Sequence, residues 1–175
     1  MAGPAHHAAG EGARARARCA VLTVSDSRTP QTDRSGPLCE RLLAEFGHET
    51  VERGIVRDEP EAIRRRLVEW LADPRIQAVL VTGGTGLGTR DRTADVVRGL
   101  LTSELPGFGE LFRVLSHRQV GAAAMLSRAV GGLAARDGAA GTLVFALPGS
   151  PAAVELALRE LLGPQLGHMV ALRAE

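Results

Sequence analysis

A chain of 175 residues, 45% hydrophobic and 23% charged, has the size of one globular domain and an ordinary soluble composition, which excludes a disordered or membrane-embedded protein. All 21 residues of the basic count are arginines, 20 acidic residues balance them to a net charge of +1, and Lys, Tyr and Asn are absent. Without lysine there is neither an internal Schiff base nor a phosphate loop of the GxxxxGK(S/T) kind, and near-neutral charge with five scattered aromatics gives nucleic acid no footprint.

Residues 1–17, rich in Ala, Gly and His, are expected to be a disordered tail, leaving residues 18–175 as a single domain. The apolar run 19–24 is too short for a signal-peptide core and stops at Ser25-Asp26-Ser27. Cys19 and Cys39 show no metal or disulfide pattern, and two free thiols suit a reducing cytoplasm.

Run 19–24 (CAVLTV) reads as a strand buried on both faces. Residues 36–46 carry Leu38, Leu42, Leu43 and Phe46 on one helical face, ending at Gly47, where a left-handed cap is expected. Residues 49–56 read as a second strand. Residues 59–72 form the clearest helix, with Ile63, Leu67, Trp70 and Leu71 inward and Arg64, Arg65, Arg66 and Glu69 outward. Residues 78–82 (AVLVT) are a third buried strand, running into the glycine-rich stretch 83–88. Helical patterns follow at 94–101, 109–115 and around 120–129. Residues 142–147 (TLVFAL) are a fourth buried strand, and Pro148-Gly149-Ser150-Pro151 opens a last helix to 162. Alternating apolar strands and helices predict an α/β protein, doubly wound, whose mostly parallel sheet carries helices on both faces.

In such a sheet, ligands bind beyond the carboxyl ends of the strands, where loops meet helix N-termini. Loops 25–36, 83–91 and 148–151 fit that description. In GGTGLG, the glycines allow close backbone approach to an anion and Thr85 adds a hydroxyl, although the same residues also suit a plain strand-to-helix turn. Ser150 before Pro151 is a standard N-cap that needs only a ligand to serve as an anion site. Asp58 reads either as a helix cap or as a metal ligand, and Asp91, between Arg90 and Arg92, either as an ion-pair partner or as a ligand. Two carboxylates at neighbouring strand ends facing an anion loop would suit Mg²⁺ bound with a nucleotide's phosphates. The five histidines show no metal-ligand spacing.

Taken in order, TVSDS (23–27), DRSG (33–36), VRDE (56–59), GGTGLGTRDRT (83–93), GFGELFR (107–113), LSRA (126–129) and LPGSP (147–151) resemble the MoaB/MogA family of molybdenum cofactor biosynthesis, from about Arg18 to His168. GFGELFR and LSRA are more similar to its MoaB branch. The resemblance implies a molybdopterin-binding fold that assembles as a homotrimer or homohexamer and acts in the cytoplasm, away from nucleic acid and membranes, with other cofactor-biosynthesis proteins as further partners. It implies Mg²⁺-dependent transfer of the adenylyl group of ATP to the phosphate of molybdopterin; a paralogue that binds the pterin without catalysis is the alternative. On the family's pattern, Asp58 and Asp91 are the catalytic and Mg²⁺-binding acids. Gly83, Gly84, Thr85 and Gly86 form the phosphate and pterin loop, Ser25 and Asp26 the first loop, Ser127 lies near the pterin, and Ser150 stands in the third loop, where many members have Asn. With no lysine for the pterin phosphate, Arg90 or Arg128 is expected to serve, and Arg92 stands beside the same loops. Residues 105–125 are expected to form the subunit contact.

Overall fold

A computed structural model of the chain describes residues 15–136 and 139–173. Strand β1 (Arg18–Val24) leads into helix α1 (Ser35–Glu45), followed by β2 (Glu49–Val56), α2 (Pro60–Ala72) and β3 (Ala78–Thr82). Then come α3 (Thr93–Arg98), a short β4 (Ser103–Glu104), α4 (Pro106–Val120) and a 3₁₀ turn (Gly121–Leu126). Strands β5 (Val130–Arg136) and β6 (Ala139–Leu147) precede α5 (Pro151–Ala157), a π-helical turn (Leu158–Leu162) and α6 (Gly163–Leu172). Most of the expected tail, residues 1–14, lies outside the described residues. Ala17 is buried, and its N–H donates to Nδ1 of His48 at 3.3 Å.

The strand order is β2-β1-β3-β6-β5-β4. The first four are mutually parallel, β5 runs antiparallel to β6, and β4 antiparallel to β5. The parallel half is the one legible in the sequence; the antiparallel extension is not. Its residues explain why: Gly131 and Gly132 give β5 little of the β-branched character that marks a strand. Both glycines are needed, since a Cβ at Gly131 would overlap the Phe145 ring and one at Gly132 the Ser103 carbonyl oxygen.

Side chains alternate across the sheet, so each buried strand feeds two cores. Cys19, Val21, Leu80, Phe145 and Leu147 pack with α1, α4, α5 and α6 on one face. Leu22, Val79, Val81 and Val144 pack with α2 and α3 on the other. The inward stripe of α2 is Ile63, Leu67 and Trp70, with the Arg66 guanidinium 5.7 Å from the Trp70 ring centroid. Gly47 takes φ +82, as the cap after α1 requires.

Three of the expected helices change length, and the one expected at 109–115 runs over Pro106–Val120 as α4. The one expected at 94–101 ends at Arg98. The last one continues past 162 into α6, with Leu162 and Gly163 both helical ahead of Pro164, so the proline is accommodated next to the π turn without ending the helix. The helical pattern around 120–129 is only the 3₁₀ turn.

Both cysteines are free and fully buried. Burial pushes the Cys19 thiol up to about 12, and Cys39 is raised as well by burial and by the nearby Asp33.

Candidate active site

Parallel pairing brings the ends of β1, β2, β3 and β6 level, with Val24 opposite Val56, Thr23 opposite Thr82, and Thr82 opposite Leu147. The three loops expected to carry chemistry therefore leave the same edge of the sheet.

Gly83 has φ +103 and donates its N–H to the Leu147 carbonyl at 3.0 Å. A Cβ there would overlap the Val24 carbonyl oxygen, so the glycine loop lies directly against the end of β1. Gly84 has φ +65; a Cβ on it would collide with Thr93 Oγ1 and stand 3.1 Å from Asp58 Oδ1. The turn is closed by Asp91, whose Oδ2 accepts the Gly88 N–H at 2.8 Å. Thr85 is buried, 3% exposed, so its side chain turns inward while Leu87 is left exposed on the loop's outer surface.

Asp58 is not the cap of α2. The N-cap is Glu59, which makes no side-chain capping bond, and the capping alternative falls. Asp58 Oδ1 is instead buried with no hydrogen-bond partner among the described residues. Burial raises the pKa of this carboxyl; Asp91 and Asp26 push the same way, while the Arg92 main-chain N–H and the Arg90 guanidinium oppose. Asp26 joins the group through Oδ1, which accepts the Asp58 N–H at 3.3 Å, and through Oδ2, which pairs with Arg90 Nη2 at 2.8 Å.

The remaining residues brace these loops. Ser25 Oγ accepts the N–H groups of Ser27 and Arg28 at 3.3 and 3.2 Å. Ser150 caps α5 by accepting the Ala153 N–H at 3.3 Å, and the neighbouring Gly149 carbonyl accepts from Ser35 Oγ at 2.7 Å. Ser127 Oγ accepts the Ala129 N–H at 3.3 Å, which shapes the turn before β5 without bringing the serine into direct contact with the carboxylates.

Two residues acquire roles that the sequence did not reveal. Asp33 is buried and accepts from Thr23 Oγ1 at 2.8 Å and from the Ser35 and Gly36 N–H groups at 3.1 Å, fixing the start of α1; an Asp just before a helix was the available signal. Arg128, expected to hold phosphate, is committed to the glycine loop itself. Its Nε donates to the Gly86 carbonyl at 2.8 Å, Nη2 to the Asp91 carbonyl and Nη1 to Asp95 at 3.0 Å, while its own N–H donates to the Thr85 carbonyl at 3.0 Å. Arg92 pairs with Asp95 at 3.6 Å.

Two clefts flank the group. One, of about 370 Å³, lies among Asp58, Glu59, Pro60, Thr89, Arg90 and Arg92. The other, of about 690 Å³, runs from Ser25 and Asp26 along the outer edge of β2. Among the described residues, no group of three His, Cys, Asp or Glu side chains is gathered at metal-holding spacing. Two carboxylates still fit a hard divalent cation that takes its other ligands from phosphate and water. The orphaned Asp58 Oδ1 is the observation that favours such a fit.

Fold and site together define a doubly wound α/β protein with a glycine loop faced by carboxylates at the carboxyl ends of its parallel strands. A family model described as "Probable molybdopterin binding domain" matches residues 20–168. The Molybdenum cofactor biosynthesis protein B of Staphylococcus carnosus (strain TM300) is 46% identical over 156 residues, covering 87% of this chain and 88% of its own. A crystal structure of Molybdenum cofactor biosynthesis protein B superposes with a TM-score of 0.86 at 42% identity, covering 93% of this chain and 98% of that one. The tungsten cofactor synthesizing protein MoaB from Pyrococcus furiosus gives 0.81 at 34%, covering 91% and 98%. The chain belongs to the MoaB/MogA family of molybdenum cofactor biosynthesis proteins. Among the described residues no helix is long and apolar enough to cross a membrane.

Proposed function

We propose that this chain acts in molybdenum cofactor biosynthesis by transferring the adenylyl group of ATP to the phosphate of molybdopterin in the cytoplasm. A phosphate oxygen of the pterin forms a bond to the α-phosphorus of ATP, the bond from that phosphorus to the bridging oxygen breaks, and pyrophosphate leaves with the electron pair. The observation that carries the reading is the buried, unpartnered Asp58 Oδ1 set against Gly84 of the glycine loop.

No proton need be moved by the protein in such an exchange, so positioning and charge neutralisation are what it must supply. Gly83, Gly84 and Gly86 let the phosphates approach the backbone, and Arg128 keeps that loop in shape. Asp58 and Asp91 would hold Mg²⁺, which when bound supplies charge neutralisation at the phosphate oxygens. Ser25 and Asp26 border the nucleotide side, and Ser127 and Ser150 secure the turns on the pterin side.

A homotrimer or homohexamer is part of the proposal. Leu111, Val114 and Met125 are exposed on α4 and the turn after it, within the expected contact region, and a second copy would cover them.

Purified protein given Mg-ATP and molybdopterin should release pyrophosphate, and Asp91→Ala should abolish the release. Pterin binding without any release from active substrate would overturn the transfer reading. It would favour the carrier alternative, which the 46% identity to a protein B already keeps in view.

A further inference from the structure

The larger cleft is lined by Arg28, Arg53 and Arg57 together with Ser25, Pro30 and Ile55, and Asp26 stands at its inner end. Three arginines and one carboxylate are among its lining residues, and that carboxylate is already paired with Arg90 at 2.8 Å. Arg53 shares Glu40 at 3.5 Å and the buried Asp33 at 3.9 Å. Arg28 donates Nη1 to the Thr32 carbonyl at 3.2 Å, and neither Arg28 nor Arg57 has an ion-pair partner among the described residues. In a chain with net charge +1, this is a local excess of positive charge in a concave site.

We infer that this cleft is a polyphosphate site, in which Arg28 and Arg57 grip the anion and Arg53 adds charge from the strand edge. A volume of about 690 Å³ exceeds what one phosphate fills and suits a chain of them. Guanidinium forks bind phosphate oxygens bidentately, and Pro30, Ile55 and Val56 supply an apolar wall that reduces screening. The site is continuous with the carboxylates, because Asp26 lines the cleft while its Oδ1 accepts the Asp58 N–H at 3.3 Å. The anion site stands on the cleft and its arginines; its assignment to the β- and γ-phosphates of ATP, released as pyrophosphate, rests on the adenylyl-transfer reading. Arg28 and Arg57 would then hold the nucleotide's phosphates, a task separate from the pterin phosphate expected of Arg90 or Arg128, which are engaged with Asp26 and with the glycine loop.

The test is calorimetric titration of the full chain with inorganic tripolyphosphate, free of metal, at two ionic strengths. Arg28→Gln and Arg57→Gln, both at exposed positions, should each weaken binding about tenfold, the loss of one charged fork. Arg65→Gln, exposed on α2 and not among the residues that line the cleft, changes net charge equally and should leave affinity unaltered. Equal weakening by Arg65→Gln, unchanged affinity in the two cleft variants, or no saturable binding by the native chain would each overturn the inference. Arginine-dependent tripolyphosphate binding in a protein that releases no pyrophosphate would support the cleft assignment while removing the adenylyl-transfer reading.

Discussion

Replacing Gly83 with alanine tests the central geometric claim, that the glycine loop is wedged against the end of β1. Two penalties are separable. A side chain at φ +103 carries about 1–3 kcal/mol of backbone strain. The new Cβ would also overlap the Val24 carbonyl oxygen and stand 3.3 Å from its carbon; these are main-chain atoms of a buried strand that cannot swing aside, and overpacking of this kind costs about 1–3 kcal/mol. Together they predict about 4 kcal/mol, or roughly 8–16 °C in Tm for a domain of this size. Gly47 is the internal control. It has φ +82 but nothing within 4 Å of the place a methyl would occupy, so Gly47→Ala bears only the conformational cost, about 1 kcal/mol once the stiffer unfolded chain is counted. Urea and thermal unfolding of both variants give the comparison. Equal destabilisation of the two would refute the wedge and with it the close approach of the two loops.

Three further outcomes follow from the site. Asp58 has a raised pKa, so its contribution to stability is present below the unfolded carboxyl pKa and is lost as pH rises through the folded one; Asp58→Asn should raise Tm at pH 7, steepen the rise of Tm with pH on the acid side and abolish pyrophosphate release, and a lower Tm at pH 7 would contradict this. Arg128→Lys keeps the charge but cannot reach the Gly86 and Asp91 carbonyls and the Asp95 carboxylate together, so about 2 kcal/mol should be lost in urea unfolding, whereas native-like stability would show that the fork is dispensable. Leu111→Glu with Val114→Glu places charge on the exposed face of α4 and should reduce the particle mass seen by light scattering; an unchanged mass would move the subunit contact elsewhere.

The buried strands β1, β3 and β6 are legible because each is a short, continuous apolar run, and α2 because its three inward residues fall on one stripe. Strand β5 escapes such a reading because its small residues are selected by the Phe145 ring beside them, a tertiary requirement with no local pattern. For the candidate site, local sequence supplies the loops, while deciding among roles needs three dimensions. Asp58 precedes a helix and looks like its cap; only the fold shows Glu59 in that place and the Asp58 oxygen left unpaired. Arg128 lies in a family-like motif, and only the fold shows it clasping carbonyls 42 and 37 positions away. Arg28 and Arg57 carry no signal at all, because what distinguishes them is their place on the wall of one cleft, which the fold assembles from the segment after β1 and the end of β2.

The two buried thiols give the chain a reporter of its own. Cys19 lies on β1 and Cys39 on α1, both in the core face beneath α5 and α6, and a thiol held up to about 12 is almost never thiolate at neutral pH. Neither can react with a disulfide reagent until that face opens. The rate of thiol labelling in the native protein therefore reads the opening of the scaffold under the loops, and a ligand that tightens the site should slow labelling at residues it never touches.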